Sequence, residues 1–251
     1  MIRRQLNAKE PLPLATDEAT PTLTATEEIA TETILWRPDY QAERAHLRRG
    51  AFLKRLVDLF LCLLLLPILL PVCLVVAVAI RLDSSGPALF RHRRLGRDGK
   101  VFCMLKFRSM VDGADKMLAG LLASDPDARK EFEETYKLQE DPRCTRVGRW
   151  LRRTSLDELP QVFNVLRGDM SLVGPRAIVE PELDRYGDYG TRLLLVKPGI
   201  TGLWQVNGRS DVSYPERVQM DMSYIDRQCT SLDLWILLRT VAVVLRRTGA
   251  V

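Results

Sequence analysis

Two adjacent carboxylates, Asp157 and Glu158, stand just before Pro160, and five arginines precede them: Arg143, Arg146, Arg149, Arg152 and Arg153. Proline suits the first turn of a helix, where its missing N–H costs nothing. The residue before a proline avoids helical dihedrals, so Leu159 is expected to end an approach loop. On that reading the two acids lie beside a helix N-terminus, a natural position for phosphate. Acids, arginines and free amides at one spot suit phosphoryl chemistry with a divalent cation. A second reading uses the same residues. Ser155 and Glu158 have the spacing of a capping box and could simply open a helix. That would put Pro160 at the fifth helical position, where it deletes a backbone bond.

The elements that must position this pair surround it. Upstream, residues 88–90 and 101–105 flank a basic, glycine-bearing loop and predict a β-hairpin, with Lys106, Phe107 and Arg108 following directly. Taken alone, Lys106 and Arg108 read as a solvated edge or a membrane-facing patch. Residues 112–137 predict two helices divided near Asp125-Pro126. Arg146, Arg149 and Arg153 share one face at helical spacing. Downstream come a short helix over 162–166 and two Gly/Pro-punctuated loops, 167–176 and 197–209. These present Arg176 and Arg209, and the second runs on into a polar strand. Their small residues, Gly199 among them, would let backbone approach a ligand, although most such loops are only turns. Helices are predicted over 181–196 and 215–227, the latter burying Val218, Met222 and Ile225.

Of 251 residues, 37 are Lys or Arg and 32 are Asp or Glu, a net charge of +5. That excess permits an anionic partner, nucleic acid or a membrane surface. No nucleic-acid motif accompanies the arginines, and only Trp150 interleaves them. The five cysteines form no Cys-x-x-Cys pair and only His46 and His92 are present, which argues against a zinc site or a disulfide framework and fits a reducing cytoplasm. Residues 1–40 are rich in Thr, Glu, Ala and Pro and are expected to be disordered, without a signal peptide.

Residues 59–80 carry no charge. At 1.5 Å per residue this run would be roughly 33 Å long as a helix, enough to cross a bilayer. Pro67 and Pro71 fall inside it, and both flanks are basic. A span would leave one cationic flank on the wrong side. A re-entrant helix that breaks at Leu70-Pro71 and returns to the same face answers both objections; proline does occur in spanning helices, so both forms stay open. Residues 232–247 are too short and too charged to span, and suit a helix lying in the interface or a buried core helix. The fold class expected is mostly α with a small β-hairpin, α+β. The divisions are 1–40 as an extension, 41–85 as a basic approach and membrane helix, and 86–251 as a catalytic domain.

With these segments placed, residues 54–251 resemble the bacterial sugar transferase family, the monotopic phosphoglycosyl transferases. The matching pieces occur in order: Lys54-Arg55-x-x-Asp58, Lys106-Phe107-Arg108-Ser109-Met110, Ser155-Leu156-Asp157-Glu158-Leu159-Pro160-Gln161, Arg167-Gly168-Asp169-Met170-Ser171, Gly174-Pro175-Arg176 and Pro198-Gly199-Ile200-Thr201-Gly202. The short exopolysaccharide members that use a hexose look most similar. The resemblance implies transfer of a sugar 1-phosphate from a UDP-sugar to undecaprenyl phosphate, releasing UMP. It implies Asp157 as nucleophile, Glu158 as the Mg2+ ligand, and Arg152, Arg176 and Arg209 on phosphate. Lys106, Arg108, Gly199, Thr201 and Gln205 complete the expected binding set. It also implies a monotopic protein, with a re-entrant helix and interfacial amphipathic helices, in the bacterial inner membrane. The catalytic domain would lie on the cytoplasmic face among membrane lipids, with no nucleic-acid partner and with a homodimer allowed. Two positions depart from the family pattern: Leu70 where a serine precedes the breaking proline, and Ala177 after the loop arginine. A non-catalytic membrane adaptor that holds anionic lipid remains the alternative, and a membrane-tethered nucleic-acid binder a third; neither predicts UMP release.

Overall fold

The computed structural model describes residues 38–135, 138, 141–208 and 212–246. The expected disorder of 1–40 therefore lies almost wholly outside the described residues, as does the placement of Arg209.

Helix α1, Pro38–Asp83, is the longest element and stays helical through Pro67 and Pro71. The break expected at Leu70-Pro71 is thus not a loss of helical backbone. Residues 50–83 of α1 are long and apolar enough to cross a membrane. One stripe of α1 packs on the rest of the chain. Cys62 and Leu69 join a cluster with Val165 and Met170, and Val76 and Ile80 join Phe107 and Leu151. The opposite face, including Phe60, Leu64, Ile68 and Leu74, is exposed. An apolar exposed face of this extent marks contact with lipid or a partner.

Both flanks of the uncharged run in α1 are tied to the rest of the protein. Just before it, Lys54 Nζ meets Asp233 Oδ2 at 2.7 Å, Arg55 donates to the Leu166 carbonyl at 2.9 Å, and Asp58 accepts from Ser171 Oγ at 2.8 Å. At its far end Asp83 accepts the Val147 N–H at 3.0 Å, and just beyond, Ser84 receives Arg108 Nη2.

Strands β1, Leu89–Leu95, and β2, Val101–Phe107, form an antiparallel hairpin that pairs Phe90 with Lys106 and His92 with Met104. The strands are longer than the sequence reading, so Lys106 and Phe107 belong to β2 rather than following it. Alternation puts Phe90, His92 and Arg94 on one face with Lys106, Met104 and Phe102. Helices α2, Ala114–Ser124, and α3, Pro126–Thr135, divide at Asp125 as expected. Helix α4, Arg146–Thr154, opens on the Thr145 side chain and closes at Ser155. Its Gly148 lies where a Cβ would be 1.9 Å from the Ser109 carbonyl oxygen, so only glycine permits that crossing.

Helix α5, Gln161–Arg167, leads to β3, Ser171–Val173, which runs parallel to β4, Gly199–Thr201. A Cβ on Gly199 would meet the Gly174 amide nitrogen at 2.1 Å. The glycine there admits neighbouring backbone. The helix predicted over 181–196 is instead a 3-10 stretch, Glu180–Tyr189, broken where Gly187 takes φ 51°, followed by the single turn α6, Gly190–Leu193. The polar strand expected after Gly202 is the short helix α7, Leu203–Val206. Helix α8, Tyr214–Arg227, buries Val218, Met222 and Ile225 as expected. Helix α9, Thr230–Arg246, sinks Asp233 and Ile236 into the body and leaves Trp235, Leu238, Val241 and Leu245 exposed. It therefore has a buried side, as the core-helix reading expects, and an exposed apolar side of the kind the interfacial reading needs.

Candidate active site

The acid pair sits on a turn made by one backbone reversal. Ser155 takes φ 56° and its N–H bonds back to the Arg152 and Leu151 carbonyls, ending α4. The next three residues, Leu156–Glu158, form a 3-10 turn. That turn passes into α5 without a loop, because Leu159 is helical at φ −53°, ψ −38°. The approach loop expected at Leu159 is thus a turn of helix. The preference against helical dihedrals before proline is overridden by the Leu159 N–H bond to the Leu156 carbonyl and the Val162 N–H bond to the Leu159 carbonyl. The capping box is not formed, since Ser155 makes no side-chain cap bond.

Asn164, fully buried, sets the distance from this turn to the hairpin. Its Oδ1 accepts the Leu105 N–H at 2.9 Å and its Nδ2 donates to the Cys103 carbonyl at 2.7 Å. The next residue of β2, Lys106, thereby reaches the acids: its Nζ lies 2.8 Å from Glu158 Oε1 and 4.0 Å from Asp157 Oδ2. Asp157 is only 14% exposed and Glu158 26%. Burial pushes the Asp157 carboxyl up to about 6, against the lowering pull of Lys106 and with a further upward push from Glu158. Arg152 also acts on Asp157, and its Nε donates to Ser109 Oγ at 2.9 Å.

Two residues that the sequence reading passed over join this site from β1. Arg94 is buried, donates to the Ala177 carbonyl at 3.1 Å and faces Glu182 at 4.0 Å. Burial and the neighbouring Arg176 guanidinium lower its pKa to about 10. His92 stands between them on the same strand face. Burial, then Arg94, Lys106 and Arg176, hold its imidazole down at about 4, so it is neutral at pH 7. The available signal was strand alternation, which places 90, 92 and 94 on the face of Lys106 once the hairpin register is known.

Lys106, Asp157, Glu158 and Arg152 are therefore brought together, with Arg176 beside Arg94. Arg108 points elsewhere: it donates to the Ser84 carbonyl and hydroxyl at the end of α1. Thr201 shares a hydrogen bond with Thr240 at 2.8 Å, and Gln205 donates to the Ile200 carbonyl. Gly199, Thr201 and Gln205 hold β4 and α7 in place in this structure. Among the described residues no group of three or more His, Cys, Asp and Glu could hold a metal unaided. A Mg2+ ion that shares its shell with substrate phosphates needs only one or two carboxylates. Asp157 and the more open Glu158 meet that requirement.

The family described as bacterial sugar transferase matches residues 49–247. The undecaprenyl-phosphate galactose phosphotransferase of Salmonella typhimurium is 51% identical over 203 residues, 81% of this chain and 42% of that protein. The exopolysaccharide production protein ExoY of Sinorhizobium fredii is 42% identical over 201 residues, 80% of this chain and 89% of that protein. The undecaprenyl-phosphate glucose phosphotransferase of Komagataeibacter xylinus is 42% identical over 203 residues, 75% of this chain and 35% of that protein. The matched region thus spans well under half the length of the Salmonella and Komagataeibacter relatives but most of ExoY.

Proposed function

Since the chain belongs to the bacterial sugar transferase family, we propose that it transfers a hexose 1-phosphate from a UDP-hexose to undecaprenyl phosphate, the first membrane step of an exopolysaccharide or related glycan. The observation that carries the reading is Lys106 set against a mostly buried Asp157 and its neighbour Glu158. A buried carboxylate more basic than usual, flanked by cations, suits attack on a phosphate that would otherwise repel it.

In this reading an Asp157 oxygen attacks the sugar-linked phosphorus. The new P–O bond forms as the bond to the bridging oxygen breaks, and UMP leaves with that electron pair. An oxygen of undecaprenyl phosphate then attacks the same phosphorus, the acyl phosphate bond breaks, and Asp157 returns as carboxylate. Lys106, Arg152 and Arg176 offset the charge of the donor diphosphate. Glu158 would hold Mg2+, which when bound supplies further neutralisation of the diphosphate.

The anchoring of α1 supports one-sided membrane attachment. Lys54 and Asp58 at one end and Asp83 at the other bind the same domain. If 59–80 dips into the bilayer and both ends stay docked, both flanks lie on one side, which the basic residues assign to the cytoplasm. The test of the reaction is order of release. Purified protein given a UDP-hexose and Mg2+ should release one equivalent of UMP before lipid is added, with steady turnover only once undecaprenyl phosphate is present. UMP formed only with lipid present would replace the covalent route by direct displacement.

A further inference from the structure

We infer that His92 is a specificity-determining residue of the donor site, its Nε2–H donating a hydrogen bond to a hydroxyl of the transferred sugar. This rests on the transferase reading above and names a part of the site that the arginines and the acid pair leave unassigned.

Four features of the structure support the assignment. First, β1 places His92 on the face of the hairpin that carries Lys106, diagonally across from it, since Phe90 is directly opposite Lys106. Diagonal neighbours of this kind remain within reach of long side chains. Second, the ring is oriented. Phe90 packs edge-on to it with centroids 5.8 Å apart, and Arg94 Nη2 lies 3.5 Å from Nδ1. Arginine can only donate, so Nδ1 accepts and the proton of the neutral ring sits on Nε2. Third, no hydrogen bond from Nε2 to any described residue is formed, and Nε2 is not among the buried polar atoms left without a partner. The N–H is therefore open to the site. Fourth, the ring is uncharged at neutral pH, because burial disfavours its charged form and its charged neighbours, Arg94, Lys106 and Arg176, are all cations.

The ligand class follows from the ring's orientation against Arg94 and from the cations around it. A site that needed more charge against phosphate would hold another cation. Here the cations are already supplied, and burial together with their repulsion keeps His92 from becoming one. An uncharged, oriented donor fits an uncharged acceptor, and beside the sugar-linked phosphate the uncharged acceptors are sugar hydroxyls. A site built to pair a hydroxyl discriminates against a sugar that presents it differently, since the donor that the bound sugar covers is then left unpaired.

The experiment compares wild type, His92→Ala and His92→Gln in steady-state UMP release from UDP-glucose, UDP-galactose and UDP-N-acetylglucosamine, with UMP as competitive inhibitor. His92→Ala should lose about tenfold to a hundredfold in kcat/KM for the preferred sugar and much less for the others, compressing the preference. The inhibition constant of UMP should change by less than about twofold, because UMP has no sugar to pair. His92→Gln, which keeps a neutral donor, should recover part of the loss. An equal loss with every sugar and with UMP would make His92 merely structural and overturn the inference, as would unchanged preference in His92→Ala. If wild type releases UMP from none of the three donors, the transferase reading fails first and this inference with it.

Discussion

Replacing Asp157 by Asn should abolish transfer and at the same time make the metal-free protein more stable above neutral pH. The magnitude follows from the environment of the carboxyl. It is 14% exposed, and its pKa stands at about 6 against 3.8 for an ordinary Asp. The folded state therefore binds this proton more tightly than the unfolded chain, and stability falls as pH rises from about 4 through 6. Above 6 the whole difference is lost, about 3 kcal/mol at 1.36 kcal/mol per tenfold. At pH 5 the same linkage gives only about 1.6 kcal/mol. Asn has nearly the same shape and carries no charge, so Asp157→Asn should exceed wild type by about 3 kcal/mol at pH 8 and by about half that at pH 5. Chemical denaturation of EDTA-treated protein in detergent micelles at the two pH values measures this, alongside UMP release at pH 8. Equal stability at pH 8, or a variant less stable than wild type, would refute the claim that burial dominates at Asp157. Near-normal turnover would refute its role as nucleophile.

Three further outcomes are expected. Lys106→Met removes a cation that lowers the Asp157 pKa, so the acid limb of the kcat/KM profile should move upward from about 6, with kcat/KM at pH 8 down about tenfold to a hundredfold; an unmoved limb would detach Lys106 from Asp157. Lys54→Met leaves Asp233, 8% exposed, without its ion pair, and should cost about 3–5 kcal/mol by denaturant unfolding; a loss under about 1 kcal/mol would show that Tyr224 alone satisfies Asp233. Cysteines introduced at Gly50 and Ser84 in a cysteine-free background should both resist a membrane-impermeant thiol reagent applied from the periplasm, and labelling of either one alone would establish a span.

The acid pair was legible because its chemistry is local: two carboxylates, a proline and a run of arginines declare themselves between Arg143 and Pro160. Their partners were legible in part. Lys106 and Arg108 look equivalent in sequence, yet they are two residues apart at the end of β2. Lys106 turns to Glu158 and Arg108 to Ser84 at the end of α1. Strand alternation would place them on one face, but β2 ends at Phe107, and beyond it the chain direction is a tertiary property. Gly199 misled for a related reason. Sequence shows that a glycine admits a close approach, not whether backbone or ligand makes it, and here the Gly174 amide does. The 3-10 stretch at Glu180–Tyr189 was read as helix from composition, whereas Gly187 breaks the period. His92 and Arg94 were hidden in the unbroken basic run from Arg91 to Arg94, and only the register separates those turned inward from Arg91 and Arg93, which are exposed.

That inward set also explains how the site can be ready for a diphosphate before one arrives. Arg94 and Arg176 lie close enough for Arg176 to oppose the charge of Arg94, Lys106 stands nearby, and burial together with all three cations keeps His92 unprotonated. Glu182, 4.0 Å from Arg94, and Glu158, held by Lys106, offset part of this repulsion but do not remove it. Such crowding disfavours the empty site and persists because the rest of the fold imposes it. Arg94 is fixed by the Ala177 carbonyl, Arg176 by the pairing of its backbone with Gly199, and Lys106 by the Asn164 clamp on β2. On the proposed reading, a bound diphosphate would relieve the repulsion among these cations and be drawn beside the acid pair by it. The fold thus holds several cations closer together than they would settle alone, and the proposed donor would supply the compensating negative charge.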